Sequence, residues 1–288
     1  MYCHLKINYP RIMKAQNNNS IFMRGRWENL IIRTYKCGQT ALQKYLPKDV
    51  ELDLWQGEAL VSMVAFNFSK VNFFGIKVPF HQDFAQINFR TYVKSKKDGT
   101  KGVLFLRELA PKPIIALMAN LVYNEPFYFL NVKNKYSSNP KGQQMMYHFK
   151  RGQKTGKVVI QAAKKALDLT TGTLAKFTVD RYVSFVKSTF STLANRYDIG
   201  HRPWKRYAVE QIDFDDNILD LLPKDITQSL HKTALSTYFV DGSAVEVSTR
   251  TREQKGEPLR ACIKINDSTE DGFLILDKPL KLDVHRGK

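Results

Sequence analysis

The side chains that could bind or convert a ligand are concentrated in one stretch, Gln86–Val93. Residues alternate strictly there, which predicts a β-strand with Asn88, Arg90 and Tyr92 on one face. A buried arginine must be paired or meet a ligand, because removing a guanidinium from water is costly. Arg90 is therefore a candidate anchor for an acidic or carbonyl ligand, which its planar fork of N–H donors would hold.

Two other roles for Arg90 stay open at this stage. It could form an internal ion pair with Glu58 or Glu125, or its face could be exposed to solvent, where nothing needs pairing. Glu58 could itself act as a general base if apolar surroundings raised its pKa. Its position directly after Gly57 also suits an exposed residue at the entry to a strand.

The remaining candidate residues each have a structural alternative. Asn88 and Tyr92 would add polar contacts beside Arg90, or they would bond to neighbouring backbone groups. Trp27 suits a cavity wall as well as a core. His201 and Trp204 stand in the segment His201-Arg202-Pro203-Trp204, which predicts a lid or a corner. A histidine at such a turn is more often structural than catalytic.

The strong catalytic signatures are absent from the sequence. It contains no GxGxxG, no phosphate-binding GxxxxGK[ST], no GxSxG, no HExxH and no CxxC. The six histidines are scattered singly, so we expect neither a metal nor a cofactor. Cys3, Cys37 and Cys262 are odd in number and far apart, which indicates a reducing compartment and no disulfide framework.

The charge of the chain points to a second class of function. Lys and Arg total 45 against 27 Asp and Glu, a formal net charge of +18. No acidic residue lies between Glu125 and Asp168, where a basic surface could attract nucleic acid or another polyanion. Tyr136, Tyr147 and Phe149 could stack on bases there. Two alternatives stay open: the charge reflects general lysine usage with no partner behind it, or the later acidic cluster, Glu210–Asp225, faces this basic stretch.

Short apolar or alternating runs that end at Gly, Pro, Asn or Asp predict many strands and few helices. Asp98-Gly99 predicts a hairpin turn between Gln86–Val93 and Val103–Leu109. We therefore expect a mainly β (α+β) fold, a barrel or sandwich with a few peripheral helices. The other predicted strands are Leu30–Tyr35, Ala59–Phe68, Phe127–Val132, Met145–Phe149, Val158–Ala162, Tyr182–Val186, Arg206–Ile212, Thr237–Val240 and Ala244–Val247, and the predicted helices are Gln39–Tyr45, Pro113–Val122, Thr173–Asp180 and Asp225–His231.

The 288 residues are expected to form one folded domain with two extensions. The boundaries we predict are a flexible extension over 1–22, the domain over 23–248, and a C-terminal extension over 249–288 that could form a docked hairpin. The first 22 residues lack the apolar core of a signal peptide. No apolar run approaches the roughly 18 residues of a membrane helix, so we expect a cytoplasmic protein without a membrane partner.

A set of short motifs, in order along the chain, resembles the YqjF-like uncharacterised bacterial family. The more specific motifs are the strand Asn88-Phe89-Arg90-Thr91-Tyr92-Val93 and the segment His201-Arg202-Pro203-Trp204. The resemblance covers about Trp27 to Val247. The other motifs are Arg26-Trp27, Leu46-Pro47, Glu51-Leu52-Asp53, Gly57–Ser62, Gly102–Phe105, Tyr123-Asn124-Glu125-Pro126-Phe127, Asp180-Arg181-Tyr182 and Asp241-Gly242-Ser243.

That family is similar, in turn, to the acetoacetate decarboxylase-like superfamily, which implies a twisted β barrel with a deep, largely apolar central cavity. In the decarboxylase a Schiff-base lysine follows a proline, but here Phe127 and Tyr128 follow Pro126. Schiff-base chemistry is therefore not expected. Tyr123, Glu125 and Phe127 stand where the decarboxylase keeps its chemistry, with packing as their structural alternative. The resemblance implies an unknown small-molecule ligand, such as a carboxylate or carbonyl compound, and leaves open whether catalysis accompanies binding.

Overall fold

The computed structural model describes residues 21–77, 82–110, 127–187 and 191–251, together with two short strands beyond them. β-Strands dominate, and none of the described helices is long and apolar enough to cross a membrane. The strands are β1 (Ile21–Cys37), β2 (Val50–Leu52), β3 (Ala59–Phe73), β4 (Phe84–Ser95), β5 (Lys101–Ala110), β6 (Phe127–Phe129), β7 (Asn131–Asn139), β8 (Gly142–Arg151), β9 (Lys154–Leu167), β10 (Val183–Lys187), β11 (Ala194–His201), β12 (Arg206–Phe214), β13 (Ser236–Ser248), β14 (Lys264–Asn266) and β15 (Ile275–Asp277). The helices are α1 (Gln39–Gln43), α2 (Leu174–Val179) and α3 (Lys224–Ser229), with a 3-10 helix at Asp216–Leu221.

Seven strands close into a ring. The order of neighbours is β1, β3, β4, β5, β10, β11 and β13, and β13 pairs back with β1. Every pair in this ring is antiparallel except β5 with β10. The ring encloses one apolar cluster, which includes Val64, Phe66 and Trp204. The mainly β barrel predicted from the sequence is confirmed.

The remaining large strands form an extension that leaves the ring at β13. β12 pairs with the first half of β13, where Tyr207 lies opposite Phe239, and β9, β8 and β7 follow in order. The inner face of the extension belongs to a second apolar cluster, in which Met145 and Ile160 join Met63 and Phe89 of the ring. The extension therefore covers the outside of β3 and β4 and turns that surface into a second core.

This second core explains why β4 is buried on both faces. Ile87 and Phe89 point to the outer core, and Asn88 and Arg90 line the inside of the ring. Every residue from Ala85 to Val93 is buried. The solvent-exposed role considered for the Arg90 face is therefore excluded by the structure.

Several strands differ from the sequence-based expectation. β2 was not predicted, and the predicted strand Phe127–Val132 is divided into β6 and the longer β7. The sequence predicts a break between Thr237–Val240 and Ala244–Val247, but β13 is one continuous strand. Gly242 bends the strand without ending it, because its backbone has φ 73° and a Cβ there would lie 1.9 Å from the Trp27 carbonyl oxygen. β11 was not predicted, since polar Asn195 and Asp198 interrupt its apolar alternation although both are buried.

The basic and acidic stretches of the sequence partly face each other. The basic stretch forms β7, β8 and β9, and β9 pairs with β12, which carries part of the acidic cluster. Lys157 Nζ lies 2.5 Å from Asp213 Oδ2. Lys133, His148 and Lys157 lie side by side across β7, β8 and β9 and are all exposed. A basic surface therefore remains, although an acid neutralises one of its lysines.

Candidate functional site

A cavity lies inside the seven-stranded ring. Its volume is about 80 Å³, counted as the space that the centres of water molecules can occupy. At roughly 10–15 Å³ of such space per water, about six waters would fill it. Side chains from all seven strands of the ring line it, together with residues that follow α2 and β11. The barrel interior therefore offers a site of small-molecule size.

One wall of the cavity is polar and lies on β4 and β5. Gln86, Asn88 and Arg90 alternate along β4, and Glu108 on β5 lies directly opposite Asn88. All four residues are at least nine-tenths buried. In the described part of the chain, Gln86 Oε1, Asn88 Oδ1 and Arg90 Nε have no hydrogen-bond partner. Buried polar atoms are nearly always satisfied, so this wall has unused capacity to bind a ligand or ordered water.

Arg90 is held by the end of a helix. Its Nη2 donates to the Thr178 carbonyl oxygen at 2.8 Å, and the Tyr92 hydroxyl donates to the same oxygen at 3.3 Å. Thr178 lies in the last turn of α2, where carbonyl groups lack helical partners and attract cations. Among the described residues, no carboxylate forms an ion pair with Arg90. This contact orients the guanidinium and leaves its Nε free.

Glu108 is the carboxyl group of the cavity. Its Oε1 accepts a hydrogen bond from Gln86 Nε2 at 3.1 Å. Desolvation by burial raises the pKa of Glu108 to about 8, and the hydrogen bond from Gln86 opposes this only in part. The group is therefore mostly protonated at neutral pH, so it can donate a hydrogen bond or a proton to a ligand.

Arg181 is a second arginine on the cavity wall, but its donors are occupied. Its Nη1 donates to Asp53 Oδ2 at 2.7 Å, and its Nε donates to the Phe177 carbonyl oxygen at 2.8 Å. The guanidinium also lies over the rings of Phe177 and Tyr92. Arg181 thus ties α2 to the segment that follows β2, and Arg90 is the cavity arginine whose Nε has no partner among the described residues.

The opposite end of the cavity is aromatic. Trp27 lies 5.6 Å from Phe66, 5.9 Å from Phe68 and 6.0 Å from Trp204, measured between ring centroids. All four line the cavity. The Trp204 indole N–H donates to Ser243 Oγ at 2.9 Å, whereas the Trp27 indole nitrogen is buried and has no partner among the described residues.

Two residues singled out in the sequence, Tyr92 and His201, lie beside the cavity wall without lining it. Tyr92 is fully buried and bonds Ser62 Oγ at 2.6 Å, without lining the cavity. His201 is stacked between Tyr182 and Trp204, and its Nδ1 donates to the Arg202 carbonyl at 2.7 Å. Burial lowers the pKa of His201, which keeps the ring neutral as a support for Trp204.

Glu58, which the sequence offers as a partner of Arg90 or a general base, lies on the outer surface instead. It pairs with Lys36 Nζ at 3.0 Å, and its side chain is 45% exposed. Tyr123 and Glu125 lie outside the described residues, as does the predicted helix 113–122, and the side chain of Phe127 is likewise not described. The structure brings together Trp27, Asn88, Arg90 and Trp204 on one cavity.

The cavity residues that sequence reasoning missed include three with amide, carboxyl or guanidinium groups. Gln86 precedes Asn88 by two residues and so lies on the same face of β4 as Asn88 and Arg90, which the alternating pattern already indicated. Glu108 could be found only from the register of β4 and β5, which places it opposite Asn88. Arg181 stands in the Asp180-Arg181-Tyr182 motif, but its place on the cavity wall had no sequence signal.

Two kinds of chemistry have no residues to support them in the described ranges. No lysine there lines the cavity, so a Schiff-base nucleophile has no candidate on its described wall. No cluster of three or more His, Cys, Asp or Glu suited to a metal ion occurs in the same ranges.

The barrel and its cavity define an acetoacetate decarboxylase-like fold. The enduracididine biosynthesis enzyme MppR complexed with pyruvate matches with a TM-score of 0.56 and 10% identity, over 83% of this chain and 92% of that chain. Acetoacetate decarboxylase from Legionella pneumophila subsp. pneumophila str. Philadelphia 1 matches with a TM-score of 0.53 and 13% identity, over 86% and 93% of the two chains. An acetoacetate decarboxylase-like enzyme from Sphingomonas wittichii RW1 matches with a TM-score of 0.52 and 11% identity, over 83% and 95%. At these identities the likeness shows the fold alone.

The family follows from the sequence itself. Residues 24–239 match DUF2071, described as an uncharacterized conserved protein, and the chain belongs to this family. Uncharacterized protein YqjF of Bacillus subtilis (strain 168) is 25% identical over 186 residues, which are 63% of this chain and 74% of that protein. The family resemblance inferred from the motifs is confirmed.

Proposed function

We propose that the protein binds a small carboxylate or carbonyl compound inside the barrel, with Arg90 as its anchor. The observation that carries this proposal concerns Arg90, which is 7% exposed, lines the cavity, and has an Nε without a partner among the described residues. Burying a guanidinium without an ionic partner lowers the stability of the folded state, which is typical of a group retained for binding. A ligand carboxylate would supply the missing partner and accept from the planar donor fork.

The other polar groups of the wall suit the same ligand. The protonated Glu108 can donate to a carboxylate or carbonyl oxygen, and Asn88 Oδ1 can accept from a ligand hydroxyl. A mostly apolar cavity with a few converging polar groups is the usual form of a small-molecule site. The solved structure of MppR contains pyruvate, which is a small keto acid, and that likeness in fold supports the proposal without carrying it.

If the protein is an enzyme, its chemistry is of another kind than Schiff-base decarboxylation. Phe127 and Tyr128 follow Pro126, where the resemblance places the decarboxylase's lysine, and no lysine lines the described cavity wall. The group best placed to move a proton is Glu108, because burial keeps it protonated beside the ligand space. We therefore propose that any reaction uses acid–base steps on a ligand held by Arg90.

The proposal is tested by thermal melts and calorimetric titration with pyruvate, acetoacetate and acetate. The wild type should be stabilised by at least one of them, because a ligand that binds only the folded state raises its melting temperature. Arg90→Met should abolish this shift. Arg24→Met is the matched control, since Arg24 forms an exposed ion pair with Glu246. Equal shifts in wild type and Arg90→Met would refute the anchor role.

A further inference from the structure

We propose that the ligand is an aryl-substituted carboxylic acid whose ring carries a hydrogen-bond acceptor. Its carboxylate would meet Arg90, and its ring would lie among Trp27, Phe66, Phe68 and Trp204. This proposal rests on the carboxylate-binding function above and adds the chemical class of the ligand. Three features of the cavity carry it: its length, its division into a polar and an aromatic end, and the free indole N–H of Trp27.

The length of the site follows from strand register. Arg90 pairs with Ser62 of β3, Asn88 with Val64, and Gln86 with Phe66. One more step along the same faces leads to Phe68, which lies opposite Trp27 of β1. At about 3.4 Å per residue, Arg90 and Gln86 are roughly 14 Å apart along β4. A ligand that uses both ends must therefore be elongated.

The two ends differ in chemistry. Next to Arg90 the wall carries the buried amide of Asn88, and Phe105 of β5 lies opposite Arg90. Glu108 lies opposite Asn88 and accepts from Gln86, so it stands between the two ends. Around Trp27 the neighbours are aromatic rings, whose centroids lie 5.6–6.0 Å away. These distances fall in the range of offset and edge-to-face contacts, which a flat ring can extend and a flexible alkyl chain cannot.

The available volume limits the size of the ligand. About six waters fit in the cavity, and six waters occupy about 180 Å³ in the liquid. That volume suits an acid with one six-membered ring and a linker of two or three carbons.

The Trp27 indole specifies one further group. Its Nε1 is buried and has no partner within the described residues, whereas the neighbouring Trp204 Nε1 donates to Ser243. A buried N–H without an acceptor is unfavourable, so a ligand oxygen at this point would be favoured. A hydroxyl or keto oxygen on the ring would accept from it.

The test uses four acids as probes, which are acetate, hexanoate, 3-phenylpropionate and 3-(4-hydroxyphenyl)propionate, and the neutral alcohol 3-phenylpropanol as a comparison. Their dissociation constants are measured by calorimetry on the full chain. We expect 3-phenylpropionate to bind at least tenfold more tightly than hexanoate and acetate, and the hydroxylated acid to bind more tightly still. Arg90→Met should weaken binding of both aryl acids at least tenfold.

Two tryptophan variants isolate the ring end. Trp27→Phe keeps an aromatic ring and removes the N–H, so it should erase the advantage of the hydroxylated acid and leave 3-phenylpropionate nearly unchanged. Trp55→Phe is the matched control, because Trp55 packs on Phe177 and does not line the cavity. If Trp27→Phe fails to fold, the order of the four probes on the wild type still decides the proposal.

The outcomes separate this proposal from the proposed function. If acetate or hexanoate binds as tightly as the aryl acids and depends on Arg90, the aryl proposal is overturned and the carboxylate anchor stands. If no acid binds in an Arg90-dependent way, both are overturned. If 3-phenylpropanol binds as tightly as 3-phenylpropionate, the ligand is not an acid, and the proposal is again overturned.

Discussion

Two arginines line the same cavity, and removing their charges should have very different effects on stability. Arg181 and Asp53 form a buried ion pair at 2.7 Å, with side chains only 4% and 8% exposed. Arg181→Met leaves the Asp53 carboxylate with Lys101 Nζ at 3.3 Å as its remaining cation. Stranding one member of a buried pair costs about 3–5 kcal/mol, so we expect the free energy of unfolding to fall by about that amount.

Arg90→Met should cost much less, because Arg90 has no ionic partner among the described residues. The substitution removes one hydrogen bond to the Thr178 carbonyl, worth about 1.5–3 kcal/mol for a charged donor. The Tyr92 hydroxyl still donates to that carbonyl at 3.3 Å. Relief of the buried guanidinium, with its free Nε, offsets much of the loss. We expect a net decrease below about 2 kcal/mol.

The assay is urea unfolding of both variants and the wild type, followed by circular dichroism, with the slopes compared to confirm that the same surface unfolds. The titrations with carboxylates are run on the same samples. A loss above about 3 kcal/mol in Arg90→Met would show a buried ionic partner. Together with no ligand-induced shift in the wild type, it would refute the binding role and make Arg90 part of the scaffold.

The other predictions concern pH, covalent chemistry, charge and backbone. Burial raises the pKa of Glu108 from 4.5 to about 8, so between these pH values the folded state keeps a proton that the unfolded chain has lost. The free energy of unfolding should therefore fall as pH rises through that interval. Urea midpoints measured for Glu108→Gln should lack this dependence on pH. Borohydride reduction with acetoacetate or acetone should add no mass, and a stable lysine adduct would contradict this. Single-stranded DNA should bind the β7–β9 surface weakly and lose affinity steeply with salt, and submicromolar sequence-selective binding at physiological salt would contradict this. Gly242→Ala should destabilise the fold by about 1–3 kcal/mol in urea unfolding, because its Cβ would meet the Trp27 carbonyl, and an unchanged midpoint would refute the strain.

The local pattern of the sequence was enough to predict β4 and the direction of its side chains. Alternation of residues places Asn88 and Arg90 on one face in any strand, whatever the strand packs against. The same pattern contains Gln86. The short runs bounded by turn residues also predicted most strands of the ring, because pleated strands with apolar faces leave a periodic signal.

What lies opposite a strand is not a local property, and there the tertiary structure decided. β4 is buried on both faces because the extension containing β7–β9 folds back over its outer face. Neither face of β4 is therefore exposed to solvent. Among the described residues, the partner of Arg90 is a helix carbonyl 88 residues away and not Glu58, while Glu125, the other partner that the sequence suggested, lies outside those residues. Continuity of β13 through Gly242 likewise depends on the close approach of Trp27.

The candidate site shows the same division. Arginine in a strand indicates that something must satisfy its charge, because the cost of burial is set by the residue type alone. Which carboxyl group shares the cavity is set by the register of β4 and β5, which brings Glu108 opposite Asn88 across 20 residues of sequence. The Glu108 pKa and the free atoms of Gln86 and Trp27 depend on the enclosure of the ring. The sequence by itself thus determined the strand and its chemical groups, and only closure of the barrel determined which groups share a cavity, because contacts between distant strands leave no periodic signal along the chain.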